Sequence, residues 1–104
     1  MRKGEVWWAK LPPPLGRRPV ILLSRDEAYT IRSAISVAEV TTRIRGIPVE
    51  VVLGPEDGLP KRCVANLDTI VTIRKELLIE RITMLRNEKV EQIDAAIKFA
   101  LSIP

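Results

Sequence analysis

Apolar and polar positions fall into short blocks along most of the chain, and the period changes only near the end. Residues 4–11 (Gly-Glu-Val-Trp-Trp-Ala-Lys-Leu) carry the aromatic and β-branched content of a strand. Pro12, Pro13, Pro14 and Gly16 then force a loop. Residues 19–24 form a continuous apolar run, the pattern of a strand buried on both faces. Pro19 fits only at the start of that strand, because it has no N–H for a ladder. A polar stretch from Arg25 to Ser33 follows. The alternation over 34–41 predicts a third strand ending at Thr41, and 48–53 a fourth after a turn marked by Gly46 and Pro48. Residues 54–60 hold two Gly and two Pro and read as loop. Residues 63–73 read as one or two further strands, and 75–80 as a brief helical turn. In the last segment Asn87 is the expected N-cap. Val90, Ile93, Ile97, Ala100 and Leu101 then recur at helical spacing, with Lys89, Glu91 and Lys98 off that stripe. Five or so short strands and one terminal helix predict a mainly β (α+β) fold, a small and strongly bent β-barrel with helical additions.

At 104 residues the chain is expected to form a single domain over 1–104. Its 46% hydrophobic and 29% charged residues argue against disorder. The net charge of +4 is unevenly spread. Residues 1–48 hold nine Lys/Arg against four Asp/Glu, whereas residues 49–104 hold eight against nine. The excess is largely arginine: Arg17, Arg18, Arg25, Arg32, Arg43 and Arg45. A guanidinium fork suits phosphate, so this half is either a phosphate-facing surface or a solvated one. Histidine is absent, which removes the usual general base and the commonest zinc ligand. The single cysteine, Cys63, cannot make an internal disulfide and reads as a semi-buried small hydrophobe. No apolar run approaches the length of a membrane span and no signal peptide opens the chain, so a cytoplasmic protein without a membrane partner is expected.

Gly4-Glu5-Val6-Trp7, followed by Gly16-Arg17-Arg18-Pro19-Val20-Ile21-Leu22-Leu23-Ser24-Arg25-Asp26, resembles the opening of MazF/PemK-type toxins, the mRNA interferases of type II toxin–antitoxin systems. The likeness continues at Val40-Thr41-Thr42-Arg43 and at Cys63-Val64-Ala65-Asn66-Leu67-Asp68-Thr69-Ile70, and ends with the terminal helix. It thus covers nearly the whole chain. The first loop departs from the pattern. Many members carry Gly-x-Glu-Gln-x-Gly before the Arg-Pro, and here only Pro12 to Arg17 stand there, so a short-first-loop subgroup is the nearer match. The resemblance implies an SH3-like barrel of the CcdB/PemK type with a C-terminal α-helix. It implies a homodimer that cuts single-stranded mRNA without metal or cofactor, and a cognate antitoxin that covers its site. Carried over residue by residue, the catalytic pair is Arg18 and Thr41.

Elementary chemistry fits that pair. RNA is cleaved when its 2′-hydroxyl attacks the adjacent phosphorus, leaving a 2′,3′-cyclic phosphate and a 5′-hydroxyl. An enzyme must align the attack and stabilise charge on the phosphoryl oxygens. Arg18 offers a bidentate grip on phosphate, and Thr41 a stiff hydroxyl donor. Arginine stays protonated, so the general base is unassigned. Expected RNA contacts are Arg17, Arg25, Thr42, Arg43, Arg45 and Asn66, with Thr42 replacing Thr41 if the strand register is offset by one. Trp7 and Trp8 point to opposite faces; one belongs to the core and the other packs at an interface or stacks on a base. Two alternatives remain: a CcdB-like gyrase poison acting through its terminal helix, and a small basic barrel that binds RNA without cutting it.

Overall fold

In the computed structural model, which describes all 104 residues, the apolar run of the second strand lies near the middle of one six-stranded sheet. The elements are β1 (Glu5–Lys10), β2 (Arg17–Leu22), a single helical turn α1 (Ala28–Ile31), β3 (Ala34–Thr41), β4 (Glu50–Leu53), β5 (Cys63–Arg74), β6 (Leu78–Met84) and α2 (Asn87–Ala100). The order across the sheet is β4-β5-β3-β2-β1-β6, every pairing antiparallel. Short 3-10 turns occupy Pro55–Asp57 and Lys75–Leu77.

The sheet carries apolar side chains on both faces, which is why β2 reads as a continuous run. Val20 and Leu22 enter one core with Ala9, Tyr29, Ile35, Val37 and Ile73. Ile21 enters the other with Val6, Ala38, Val40, Leu67, Ile93 and Ala96, so that α2 covers this second face. All three β2 residues are fully buried. Each such side chain stabilises the fold by about 1.5–3 kcal/mol. Trp7 packs on the first core and donates from Nε1 to Glu5 Oε1 at 2.9 Å, while Trp8 lies on the opposite face.

Several boundaries differ from expectation, each for a physical reason. β2 starts at Arg17, and Pro19 lies inside it opposite Trp8. It is tolerated because β3 pairs only with Val20–Leu22, leaving the Arg17–Pro19 edge open on that side. β5 is one long strand, and β4 begins only at Glu50 because 47–50 form a turn, with Glu50 N donating to Ile47 O at 3.0 Å. β6 was not expected as a strand. It is an edge strand without a fully buried residue, so its alternation is faint. Arg86, not Asn87, caps α2: its carbonyl accepts from Lys89 N and Val90 N at 3.0 and 3.1 Å, and no side chain caps the turn. On α2 itself Ile93 and Ala96 are buried, whereas Leu101 is 58% exposed. The helix ends at Ala100, so Leu101 leaves the stripe.

The barrel is curled but not closed by hydrogen bonds, since β4 and β6 do not pair. The turn after β4 spans the gap. Gly58, at φ +92°, approaches β6 so closely that a Cβ there would sit 2.6 Å from Thr83 Oγ1. Arg86 reaches the buried Asp57 carboxylate at 3.7 Å, and Gly54 N donates to the same group at 3.0 Å.

The sole tyrosine reports on the first core. Tyr29 is buried beside Asp26, and burial first, then that charge, push its phenol from 10.0 to about 12. Its contribution to stability is therefore complete below pH 10 and is lost as pH rises from about 10 through about 12, where the unfolded phenol ionises first. Phenolate absorbance of the native protein is expected near pH 12, and Tyr29→Phe should flatten the alkaline fall in stability. Native titration at pH 10 would contradict the packing described for this residue.

Candidate active site

Toward its C-terminal end β3 loses β2 as a partner, and its ladder with β5 is interrupted. Its pairing with β2 stops at Val20↔Glu39. Its pairing with β5 jumps from Ala38↔Ile70 to Val40↔Ala65, so Asn66–Thr69 have no partner on β3. The strands separate around Glu39 and leave an open cavity of about 330 Å³. Its lining is wholly polar: Arg18, Glu39, Thr41, Arg43, Arg45, Asn66 and Thr69.

Strand alternation places the first three together. On β2, residue 18 continues the face of Val20 and Leu22; on β3, residues 39 and 41 continue that of Ile35 and Val37. The face thus runs from apolar core into polar cavity. Extending the β2–β3 register sets Arg18 opposite Thr41. Arg18 Nη1 donates to Glu39 Oε1 at 3.1 Å, and Arg18 Nε is buried without a partner. The Glu39 side chain is only 13% exposed. Thr41 Oγ1 accepts from Arg43 N at 3.2 Å, which leaves its hydroxyl proton free to donate outward. Glu50 ties down the following loop by accepting from Arg45 N and Gly46 N at 3.0 and 2.8 Å. The Arg43 and Arg45 guanidinium groups have no carboxylate partner. Asn66 Oδ1 accepts from Asp68 N at 2.9 Å, a local turn that leaves its amide NH₂ for the cavity. Three guanidinium groups against one carboxylate make an anion-binding hollow.

Five of the eight residues singled out from sequence meet here: Arg18, Thr41, Arg43, Arg45 and Asn66. Three do not. Thr42 lines a small apolar slot on the other face with Trp8, Pro19, Val40, Leu59 and Cys63; Thr41 borders both hollows. Arg17 lies over the Trp8 ring at 4.8 Å and faces Glu80 at 3.7 Å. Arg25 lines a separate hollow with Arg32, Ser36 and Thr72, at the opposite end of β3. Glu39 and Thr69 were missed. The signal for Glu39 was available, since it stands two residues before Thr41 in a strand. Cys63 is buried, and burial with Asp57 and Glu56 nearby raises its thiol above the usual range. Nowhere do three or more Cys, Asp or Glu side chains converge as metal ligands.

A family model described as "PemK-like, MazF-like toxin of type II toxin-antitoxin system" matches residues 2–101. The chain is 39% identical over 100 residues to "Probable endoribonuclease MazF5" of Mycobacterium tuberculosis, covering 95% of this chain and 91% of that one. It is 38% identical over 86 residues to "Probable endoribonuclease MazF2" of the same organism, 82% of each chain. Among solved structures it resembles "Mycobacterium tuberculosis toxin MazF-mt6" with a TM-score of 0.89 at 27% identity, over 96% of this chain and 98% of that one. It also resembles "Endoribonuclease in complex with its cognate antitoxin from Mycobacterial species", with a TM-score of 0.87 at 25% identity, over 100% of this chain and 97% of that one.

The unpaired arginines generate a quantitative expectation. Affinity for an uncleavable 2′-O-methyl RNA should fall linearly with the logarithm of salt concentration. Replacing Arg43 and Arg45 together by Ala should reduce that slope by about 1.4, the effect of two lost single-strand phosphate contacts. A slope unchanged in the double variant would move the nucleic-acid path off this cavity.

Proposed function

The chain belongs to the PemK-like, MazF-like toxins of type II toxin–antitoxin systems, and we propose that the cavity between β2 and β3 is its RNA-cleaving site. It is an endoribonuclease toxin neutralised by an antitoxin. The observation that carries the site is the convergence of Arg18, Thr41, Arg43 and Arg45 on one polar hollow.

In this reading a single strand of mRNA lies across the hollow with its scissile phosphate between Arg18 and Thr41. The 2′-hydroxyl attacks phosphorus, and the products carry 2′,3′-cyclic phosphate and 5′-hydroxyl ends. Arg18 presents its free nitrogens to the non-bridging oxygens while Glu39 holds one edge of the fork. Thr41 donates its hydroxyl to the same oxygens. These groups are pre-set by strand geometry, so little reorganisation is needed when charge develops, and one such donor is worth about 3–4 kcal/mol. Arg43 and Arg45 hold flanking phosphates, and Asn66 presents N–H donors to a base edge. Alignment and charge stabilisation come from these side chains without a metal or cofactor, and the 2′-hydroxyl proton must still be taken by a further group.

The working form is a homodimer acting on mRNA in the cytoplasm. Phe99 is 62% and Leu101 58% exposed at the end of α2, apolar surface that a partner would cover. No helix is long and apolar enough to cross a membrane. The basic hollow attracts an acidic antitoxin segment, which blocks Arg18 and Thr41 by occupying them.

In EDTA the purified protein should cut a long RNA to cyclic-phosphate ends. Arg18→Ala and Thr41→Ala should each slow cutting by about 100-fold or more without unfolding the protein, and Arg18→Lys should fail to restore it. Binding without cutting would favour the non-catalytic RNA-binding barrel, and neither binding nor cutting the gyrase poison. Near-wild-type cutting by Arg18→Ala would remove Arg18 from the chemistry.

The assembly makes a separate demand. Saturating antitoxin peptide should exclude a short uncleavable RNA, and excess RNA should raise the apparent Kd of the peptide. A ternary complex with undiminished affinities would refute occlusion, and a monomeric mass by light scattering at micromolar concentration would refute the dimer.

A further inference from the structure

The reaction read into this hollow requires something to take the proton of the attacking 2′-hydroxyl. Histidine is absent from the chain. The arginines remain protonated, a threonine hydroxyl is a poor acceptor, and an amide accepts no proton at ordinary pH. One group in the cavity is chemically able to act, the Glu39 carboxylate. We propose that Glu39 is the general base of this site, an inference that rests on the cleavage chemistry proposed above.

The geometry supports the role in three ways. Glu39 stands two residues before Thr41 on β3 and shares its face, so the base and a phosphate donor are spaced by one strand repeat. Its backbone is held on one side by Val20, while on the other the ladder breaks at Asn66–Thr69, and its side chain, though largely buried, lines the cavity. The Arg18 Nη1 bond at 3.1 Å occupies one carboxylate oxygen and fixes the group, and the second oxygen has no hydrogen-bond partner in the protein. An acid placed between phosphate-binding guanidinium groups works against anion binding. A catalytic requirement accounts for its presence there.

In the step itself, Glu39 removes the 2′-hydroxyl proton as the 2′-oxygen bonds to phosphorus. The phosphorus–O5′ bond breaks, its electron pair leaves with the 5′-oxygen, and that oxygen takes a proton from water in the open cavity. Glu39 then returns its proton to solvent. The charged groups facing Glu39 are Arg18 on β2 and Arg43 and Arg45 beyond β3; β5 contributes Asn66 and Thr69, which do not titrate.

The competing role is a positioning one, in which Glu39 merely aims Arg18. Glu39→Gln separates the two, because its amide oxygen still accepts from Arg18 but takes no proton. Single-turnover cutting in EDTA should fall by about 100-fold or more in Glu39→Gln, and the acid limb of the pH–rate profile should disappear. Affinity for an RNA with a 2′-deoxy sugar at the cut should hold or tighten, since a negative charge has left the hollow. That binding also verifies the fold. Glu39→Ala should regain part of its lost rate on addition of formate, a small carboxylate able to enter the space. Cutting by Glu39→Gln within about fivefold of wild type, or slow cutting that keeps the wild-type acid limb, would overturn the assignment. Wild-type protein that yields no cyclic-phosphate ends would instead overturn the underlying cleavage reading.

Discussion

β3 can satisfy neighbours on both sides for only part of its length, and the site depends on where that pairing ends. Through Val37 and Ala38 it is hydrogen-bonded between β2 and β5, and its side chains fill a core on each face. Beyond Glu39 β2 no longer pairs with it, and β5 resumes only after four residues that have no partner on β3. An interruption of a ladder at that point, with opposed side chains already polar, gives a rigid wall on one side and space on the other. Bulges and ladder breaks commonly redirect side chains in this way near functional sites. Pro19 contributes to the same opening, since a residue without an N–H could not have continued pairing toward β3.

The electrostatics follow from that opening. Arg18 emerges from the face that buries Val20 and Leu22, so its stem is held by the core and its head reaches the hollow. Arg43 and Arg45 lie on a loop whose backbone is clamped by Glu50, so two flexible side chains extend from a fixed base. Several acids elsewhere in the chain are engaged at a distance from the hollow: Glu5 with Trp7 and Arg81, Asp57 with Gly54 and Arg86, Asp94 with Lys3. The charge of the first half is therefore a mixture. Arg17 is held against Trp8 and Glu80, while Arg43 and Arg45 are free to meet an anion.

What could be read from the sequence was what burial writes into it. β2 and β3 were legible because their apolar residues are buried on one or both faces, and Ile93 marked the inner face of α2. β6 was not, since an edge strand half open to solvent carries Glu80 and Arg81 where a central strand would carry apolar residues. The unbroken length of β5 is masked by Asn66 and Asp68, polar residues that form a local turn-like hydrogen bond within the strand. Within the site, Arg18 and Thr41 were found through resemblance, and Arg43 and Arg45 through charge. Arg17 and Arg25 were included on charge alone and lie elsewhere, because charge carries no information about face. Glu39 escaped notice because a single acid in a strand looks like solvent-facing polarity until the ladder around it is known.

The short first loop gives that acid its meaning. Many chains of this family carry acidic and amide residues in the loop before the Arg-Pro pair, and here the segment is Pro12 to Gly16 with none. The loop is closed by its own backbone, with Leu11 N donating to Gly16 O at 3.0 Å and Leu15 N to Pro12 O at 3.1 Å. It contributes no residue to the cavity. The only carboxylate in the hollow comes instead from β3, where the backbone on either side of Glu39 is fixed by pairing. A group on a strand is held more narrowly than one on a loop, and proton transfer tolerates little error in distance. A loop acid can be brought in by a conformational change, whereas Glu39 already lines the cavity in the free protein, as the proposed role of general base requires. The corresponding constraint is that it already engages Arg18, so in the proposed reading a phosphate would use the nitrogens of that guanidinium that Glu39 leaves free. Arg18, Glu39 and Thr41 therefore form one preassembled cluster whose spacing is set by strand register, so the proposed chemistry asks for no rearrangement of the strands that carry it.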